Sequence, residues 1–361
     1  MSDNKIQNVD LSALNGLSPE ERKLAIEMLK EIADTGKSEL LEKMKYGDFE
    51  EIPVDIHTFL HDRKYLGNGL YDQDGRFTLF PYWEETLKKI FPDNITTAYN
   101  TLILTGSIGI GKSTCAVICQ LYMLYRLLCL KDPYLYYGMQ PIDKITISLM
   151  NITIENAKGV ALDKLNQLIL SSDWFMSHGE MHGTTNMIFV PDKHIEFVCA
   201  SSNNQIIGRA LFCNFSDEVN FDARSANVER QKARLKQIIS QVDARMASRF
   251  LRGDFLPTLN IIASSKASDQ SFLDDYIETK RRGESKTTLI IDEPQWVVDS
   301  RKQTGKWFKV AVGDRYLPNE LIPEGVDAET YRAKGYTRII DVPSGYLEKF
   351  KDNIELALTD I

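Results

Sequence analysis

The chain has 361 residues, of which 43% are hydrophobic and 26% are charged, and its formal net charge is −8 at pH 7. This composition predicts a soluble globular protein that buries a core, and the acidic balance argues against a protein that coats nucleic acid along its whole surface. No apolar run approaches the ~18 residues of a membrane span, and the polar start "MSDNKIQNVD" is unlike a secretory signal. The five cysteines show neither metal spacing nor a disulfide framework, so we expect a reducing, cytosolic setting.

The chain opens with predicted helices. The segment "LSPEERKLAIEMLKEIADTGKSELLEKM" predicts a helical hairpin, with Ser18 as N-cap, Pro19 in the first helical position and Glu21 completing a capping box. A connector, "GNGLYDQDGRF", then precedes "LFPYWEETLKKIF". We expect an N-terminal helical segment over 1–65, a core over 66–300 and a C-terminal part over 301–361.

A glycine-rich loop lies between an apolar run and a second apolar segment. The stretch "GSIGIGKST" matches G-x-x-x-x-G-K-[ST], after a predicted buried strand (101–104) and before a predicted buried helix (115–130). Glycines let backbone N–H groups surround a phosphate, and the helix N-terminus adds a partial positive charge. The pattern predicts binding of a nucleoside triphosphate by Gly106, Ser107, Ile108, Gly109, Ile110, Gly111, Lys112, Ser113 and Thr114. Lys112 is expected to reach the β- and γ-phosphates, and the Ser113 hydroxyl to ligate Mg²⁺.

Strands alternate with helices after this loop. Predicted strands are "KITISLM", a hairpin of "NMIFV" and "HIEFVCAS", then "RALFCNFSDE" and "TLNIIASS"; the longest predicted helix is "VERQKARLKQIISQVDARMASRFL". From residue 287 short strand-like pieces dominate ("TTLIIDE", "QWVV", "WFKVAVG"), before a helical end, "VPSGYLEKFKDNIELALTDI". The order predicts an α/β fold, a mostly parallel sheet flanked by helices.

Two acidic pairs follow apolar strands, Asp217–Glu218 and Asp292–Glu293. The first carboxylate of such a pair can hold Mg²⁺, and the second can deprotonate an attacking water. In ATPases of the additional-strand, catalytic-glutamate class, a further strand follows the acidic one and inserts beside the loop strand. The strand "TLNIIASS", ending in Ser264 and Ser265, fits that place only if Asp217–Glu218 is the acidic pair, which chain order favours.

Two further patterns have simpler interpretations. Residues 222–252 hold eight basic and three acidic residues, which fits a solvated helix face or a surface for a phosphate backbone. The pairs "HTFLH" (57–61) and "HGEMH" (178–182) place histidines at i, i+4, but neither has the glutamate directly after the first histidine that zinc proteases use. Ordinary surface or core histidines are the favoured interpretation.

The motifs together resemble the ATPase portion of the tailed-bacteriophage terminase large subunit, a DNA-packaging motor. The resemblance runs through "IPVDIHTFLHDRKYLG", "FPYW", "GSIGIGKST", "NFSDEVNF", "IIASSKASDQSFLDDYI", "DEPQWVV" and "VPSGYLEKFKDNIELALTDI", in that order. It implies that Glu218 is the catalytic base, that Ser113 and Asp217 hold Mg²⁺, and that Ser264 and Ser265 report loss of the γ-phosphate.

The sequence departs from that family at three places. The loop has no Arg or Lys at 107–109, so another cation is needed, and Arg209 is the candidate, supplied to a neighbouring subunit in a ring. An ordinary ion pair is the alternative for Arg209, and Arg245 and Arg249 are reserves. The adenine segment usually has a Gln where Glu84 stands, so Tyr82 or Trp83 could stack on the base or be core aromatics. The metal-binding aspartates of the family's nuclease domain are missing, so no DNA cleavage is expected.

The resemblance implies ATP and Mg²⁺ as cofactors and double-stranded DNA, a portal protein, a small terminase subunit and further copies of the chain as partners, in the host cytoplasm. The first alternative function is that of another DNA translocase or a helicase-like ATPase, which would separate DNA strands. A nucleotide-binding switch or small-molecule kinase would not respond to DNA. A structural portal or scaffold protein would have no use for the intact loop.

Overall fold

The computed structural model of the chain describes residues 18–36, 38–140, 142–150, 161–178, 182–184, 187–190, 193–200, 208–217, 228–253, 255–264, 272–283, 285–303, 305–314 and 316–360. Within these ranges, no helix is both long enough and apolar enough to cross a bilayer.

An eight-stranded sheet forms the centre of the fold, in the order β3-β4-β5-β2-β6-β7-β1-β8. The six strands from β5 to β8 are parallel, and the β3–β4 and β4–β5 pairs are antiparallel. The strands are β1 (Thr101–Gly106), β2 (Ile145–Met150), β3 (His182–Thr184), β4 (Met187–Val190), β5 (Ile195–Ala200), β6 (Ala210–Ser216), β7 (Leu259–Ala263) and β8 (Thr288–Glu293). This confirms the predicted mostly parallel α/β fold, including the hairpin of β4 and β5.

Strand β7 occupies the place that the additional-strand class requires. It pairs with β1 on one side, where Leu102 faces Ile261, and with β6 on the other, where Phe215 faces the same residue. All residues of β1, β6 and β7 are buried, because both faces of a parallel sheet are covered by helices. The insertion brings the ends of β1, β7 and β6 to one edge of the sheet.

Helices cover both faces of the sheet. They are α1 (Pro19–Thr35), α2 (Glu39–Tyr46), α3 (Ile56–His61), α4 (Gly67–Leu70), α5 (Pro81–Ile90), α6 (Lys112–Leu128), α7 (Pro133–Tyr137), α8 (Asp163–Leu170), α9 (Asp173–Ser177), α10 (Val228–Phe250) and α11 (Phe272–Arg282). Helix α6 is mostly apolar and is buried along nearly its whole length, although Gln120 and Arg126 are also buried within it. Among the described side chains of helix α10, a stripe of Ile239, Val242, Met246 and Phe250 is buried against the core.

The N-terminal helices differ in how they pack. The predicted capping box of α1 is present, with Ser18 and Glu21 exchanging hydrogen bonds, but α1 and α2 bury no residue. Helix α3 instead adds Ile56, Phe59 and Leu60 to the main core, which it shares with α6. The predicted division at residue 65 stays a prediction.

A smaller unit follows β8. It comprises α12 (Gln295–Val298), the antiparallel sheet β10-β9-β11 (Glu320–Ile322, Trp307–Val312 and Arg338–Pro343), α13 (Ala328–Ala333), α14 (Leu347–Asp352) and α15 (Ile354–Asp360). The prediction of a strand at "QWVV" is wrong. The segment is the short helix α12, with Pro294 at its N-cap and with Trp296 and Val298 both buried.

Candidate nucleotide-binding site

The loop from Gly106 to Gly111 joins the end of β1 to the start of α6. Its three glycines, Gly106, Gly109 and Gly111, have φ angles of 90°, 77° and 90°, a region that side-chain-bearing residues rarely adopt. A Cβ on Gly106 would also collide with the backbone of Glu293 in β8. The glycine spacing that the sequence shows is therefore required by the backbone path.

Lys112 and Ser107 contribute polar side chains to this loop. Lys112, only 8% exposed, donates hydrogen bonds from Nζ to the carbonyl oxygens of Gly106 (3.1 Å) and Ser107 (2.6 Å). The Ser107 hydroxyl is buried and has no hydrogen-bond partner among the described residues. An orphaned hydroxyl, a lysine and a helix N-terminus around glycine backbone fit a phosphate ligand.

Trp83 supports the loop from α5. Its ring is fully buried, and its indole N–H donates a hydrogen bond to the carbonyl oxygen of Ile110. The ring lies against Gly111, where a Cβ would be 3.1 Å from Nε1. Since a stacked base needs an accessible ring face, Trp83 acts here as a support for the loop.

Tyr82, the neighbouring aromatic, is only partly buried. Burial raises the pKa of its phenol to about 12, and the nearby charge of Glu293 and a hydrogen bond with that carboxyl act in the same direction. Tyr82 thus joins α5 to the end of β8, and its predicted contact with a base stays a prediction.

Asp217 and Ser264 lie at the edge where β1 ends. Asp217 follows the last residue of β6, and its N–H donates to the carbonyl oxygen of Met150 at 2.8 Å. Ser264 is buried directly after β7, and its N–H donates to the carbonyl oxygen of Leu104 in β1 at 3.1 Å. The predicted partners Glu218 and Ser265 lie outside the described residues.

The rival acidic pair ends β8, the other neighbour of β1. Glu293 faces Gly106 in the ladder, and its carbonyl oxygen accepts a hydrogen bond from the Ser107 N–H at 3.2 Å. Burial raises the pKa of the Glu293 carboxyl, and the adjacent Asp292 charge adds to the effect. The fold brings both acidic strand ends near the loop, and only Asp217 follows a strand separated from β1 by an inserted strand.

Two of the three candidate arginines, Arg209 and Arg249, lie at the opposite edge of the sheet. Arg209 precedes β6 and forms an ion pair with Glu196, which is 1% exposed. Arg249 pairs at 3.3 Å with Asp143, which precedes β2. Because both partners lie where parallel strands begin, these two arginines are remote from the loop of their own chain. Arg245 is partly buried on α10.

Sequence reasoning missed Lys164, a described cation beside the loop helix. Its Nζ donates to the Thr114 hydroxyl at 3.0 Å, and Thr114 directly follows the Lys112–Ser113 pair. The lysine lies on α8, 50 positions further along the chain, and no motif marks it. Only the packing of α8 against α6 reveals the contact.

A loop of this geometry between a buried parallel strand and a helix is the nucleotide-binding element of P-loop NTPases, and the chain is a protein of that class. More particularly, the chain belongs to the family described as uncharacterized protein MJ0330, N-terminal P-loop domain, whose model matches residues 22–252. No curated protein sequence matches the chain significantly.

Solved structures with some similarity to the chain include three large terminases. The bacteriophage HK97 large terminase is 11% identical, with a TM-score of 0.46 over 85% of this chain and 54% of that one. A large terminase from a thermophilic bacteriophage, solved in complex with ADP, is 16% identical, with a TM-score of 0.33 over 54% of this chain and 40% of that one. The Thermus phage P74-26 large terminase ATPase domain is 12% identical, with a TM-score of 0.32 over 57% of this chain and 80% of that one.

The chain spans about half the length of the HK97 protein. At these identities and TM-scores, the likenesses assign no role to any residue.

Proposed function

We propose that this chain is the ATPase portion of a phage large terminase, which hydrolyses ATP and moves double-stranded viral DNA into a procapsid. The observation that carries the proposal is the strand order. β7, ending just before Ser264, lies between the loop strand β1 and the strand that Asp217 follows. That arrangement belongs to ATPases that couple hydrolysis to movement, and the motif order narrows the class to terminases.

Each residue of the candidate site has its own role in the proposed hydrolysis of ATP. The loop N–H groups and Lys112 bind the phosphates, and Ser113 and Asp217 hold Mg²⁺, which neutralises charge on the phosphate oxygens when bound. Glu218 accepts a proton from the attacking water. Ser264, hydrogen-bonded to β1, and its neighbour Ser265 pass the loss of the γ-phosphate to the rest of the chain.

The transition-state charge requires a further cation, because Ser107, Ile108 and Gly109 supply none. Arg209 is paired with Glu196 at the far edge of the sheet, as the ordinary ion-pair interpretation requires, so a catalytic role for it would need a neighbouring copy. A ring of chains on the portal would provide that neighbour, with Arg249 and Arg245 as reserves. Within one chain, Lys164 is a described cation outside the loop motif that contacts Thr114 at the start of the loop helix, and it is our candidate for a further phosphate contact.

The chain would contact the phosphate backbone of the DNA, so we expect binding that is independent of base sequence and sensitive to salt. Helix α10 and the residues just after it are the candidate contact, since the basic residues Lys236, Arg249 and Arg252 are exposed there. A portal protein and a small terminase subunit complete the assembly in the host cytoplasm.

ATP hydrolysis with and without duplex DNA tests the proposal. We expect DNA to raise the rate in the unaltered chain and Glu218→Gln to bind ATP without turning it over, while Glu293→Gln retains hydrolysis. Normal turnover by Glu218→Gln together with an inactive Glu293→Gln would reverse the assignment of the acidic pair. Phosphoryl transfer to a small acceptor without a DNA response would overturn the function, and strand separation would favour a helicase-like motor.

A further inference from the structure

Outside the nucleotide site, two histidines and a glutamate meet where α3 packs on α5. His57 Nδ1 lies 2.8 Å and His61 Nε2 lies 3.3 Å from the same oxygen, Glu84 Oε1. The i, i+4 spacing on α3 places the two imidazoles side by side, with ring centroids 4.4 Å apart. Sequence alone shows the histidine pair, and the fold adds the carboxylate.

The separations suit one small cation. One donor atom from each of the three side chains lies within 4.8 Å of the other two. Ligands bound at ~2.0–2.1 Å in tetrahedral geometry lie roughly 3.3 Å from one another. Two imidazole nitrogens and one carboxylate oxygen favour zinc, cobalt or nickel over magnesium and calcium, which prefer oxygen ligands alone.

The surroundings of His61 support a ligand role. Its Nε2 is buried and makes no well-aligned hydrogen bond within the described residues, while its Nδ1 lies 2.7 Å from the Tyr71 hydroxyl. Phe77 stacks on the ring at 4.2 Å between centroids and holds its orientation. If Nδ1–H donates to Tyr71, the lone pair of Nε2 points toward Glu84. A hydrogen bond from the other ring N–H is the usual support of a metal-bound histidine.

Lys88 is a positive charge that would compete with a metal ion for Glu84. Its Nζ lies 3.1 Å from Glu84 Oε1 and 2.9 Å from Glu85 Oε1, so it can leave Glu84 and keep Glu85. Glu84 is a carboxylate at neutral pH, as glutamate side chains ordinarily are.

We propose that His57, His61 and Glu84 bind one divalent transition-metal ion of the zinc type, with a fourth position open to solvent beside the exposed His57. The ion would fasten α3 to α5, the helix that carries Trp83 beneath the phosphate loop. None of the three ligands contacts the loop through a described hydrogen bond, so metal binding can be tested whether or not the proposed motor function is correct.

Titration of tag-free protein with Co²⁺, followed by its visible absorption, tests the site. We expect one ion per chain with the intense bands of four-coordinate cobalt, displaced by Zn²⁺. His61→Ala and Glu84→Gln should abolish the bands, and Tyr71→Phe, which keeps the ring but removes the hydroxyl, should weaken binding about tenfold.

His194→Asn is the matched control. His194 is exposed and has a φ of 49°, which asparagine tolerates, so this change removes a histidine without disturbing the cluster. It should bind Co²⁺ as the unaltered chain does. Absence of the bands in the unaltered chain, or their persistence in His61→Ala, would overturn the proposal. Circular dichroism of each variant establishes that lost binding is not lost folding.

Discussion

The side-chain amide of Gln295 donates a hydrogen bond from Nε2 to the carbonyl oxygen of Ile108 at 2.9 Å, joining α12 to the phosphate loop. The Ile108 N–H in turn donates to the carbonyl oxygen of Asp360 at 3.2 Å. Gln295 is itself held through its Oε1, which accepts from Lys302 and Tyr346. The shape of the loop therefore depends on residues after 252, beyond the part that matches the P-loop family.

Gln295→Ala should weaken nucleotide binding. Removing one hydrogen bond to the loop costs about 0.5–1.5 kcal/mol, which corresponds to a roughly 2- to 10-fold increase in Kd if the loop must be ordered to bind. Titration with a fluorescent ATP analogue measures the change. Gln303→Ala is the control, since Gln303 bonds the Trp296 carbonyl in the same segment and does not touch the loop through a described bond. Equal effects of the two changes would remove the specific role of Gln295.

Trp83→Phe should have a similar effect by a different route. The substitution keeps an aromatic ring beneath Gly111 but removes the hydrogen bond to Ile110, so we expect nucleotide affinity to fall about fivefold, or about 1 kcal/mol. Trp174→Phe is a close control, because Trp174 is also fully buried and donates its indole N–H, to Glu51 at 2.9 Å. If both variants lose the same affinity, the effect is one of general stability.

Lys164→Met should reduce binding of ATP about 10- to 100-fold, because a hydrogen bond between an ammonium group and phosphate contributes about 1.5–3 kcal/mol. The variant keeps the length and packing of the aliphatic stem while removing the charge beside Thr114. Calorimetric titration of the variant and the unaltered chain with ATP and with AMP shows which phosphate the lysine serves. Lys309→Met, which removes an exposed lysine paired with Asp341, should leave binding unchanged. Unaltered affinity in Lys164→Met would limit the lysine to a structural contact.

A chain of buried polar side chains links the sheet to α10. Ser148 in β2 donates to Asn214 in β6, Asn214 donates to Asn260 in β7, and Asn260 donates to Asp243 in α10 at 2.8 Å. Burial raises the pKa of Asp243, although the Asn260 hydrogen bond and Lys280 partly oppose it. Because the folded state holds the proton more tightly, the stabilising contribution is present below the unfolded pKa of about 4 and is lost as pH rises through the folded pKa.

Asp243→Asn should therefore stabilise the protein at neutral pH. The variant can still accept from Asn260 but has no charge to bury, so its free energy of unfolding should exceed that of the unaltered chain at pH 7 and approach it near pH 4. Urea unfolding at the two pH values measures the difference. Glu278→Gln, at an exposed position of α11, serves as the control for a lost surface charge. A difference between variant and unaltered chain that does not depend on pH would contradict the assignment.

The strongest predictions came from local patterns. The glycine spacing required positive φ angles, the apolar runs before residues 106 and 217 became buried strands, and Ser18, Pro19 and Glu21 formed their capping box. Chain order even placed β7 beside β1. Each of these depends on residues close in sequence or on rules of strand connection, which the chain carries wherever it folds.

Tertiary packing decided the rest. The segment "QWVV" has the pattern of a strand but is a short helix after Pro294, so its intrinsic preference did not decide its conformation. Lys164 meets Thr114 across 50 positions and Gln295 meets Ile108 across 187, and the carboxylate of Glu84 completes a histidine pair from another helix. The amino-acid sequence by itself determines which groups are available and how each short segment prefers to fold. Only the folded chain brings groups so far apart within bonding distance, since their meeting depends on the packing of whole helices and strands.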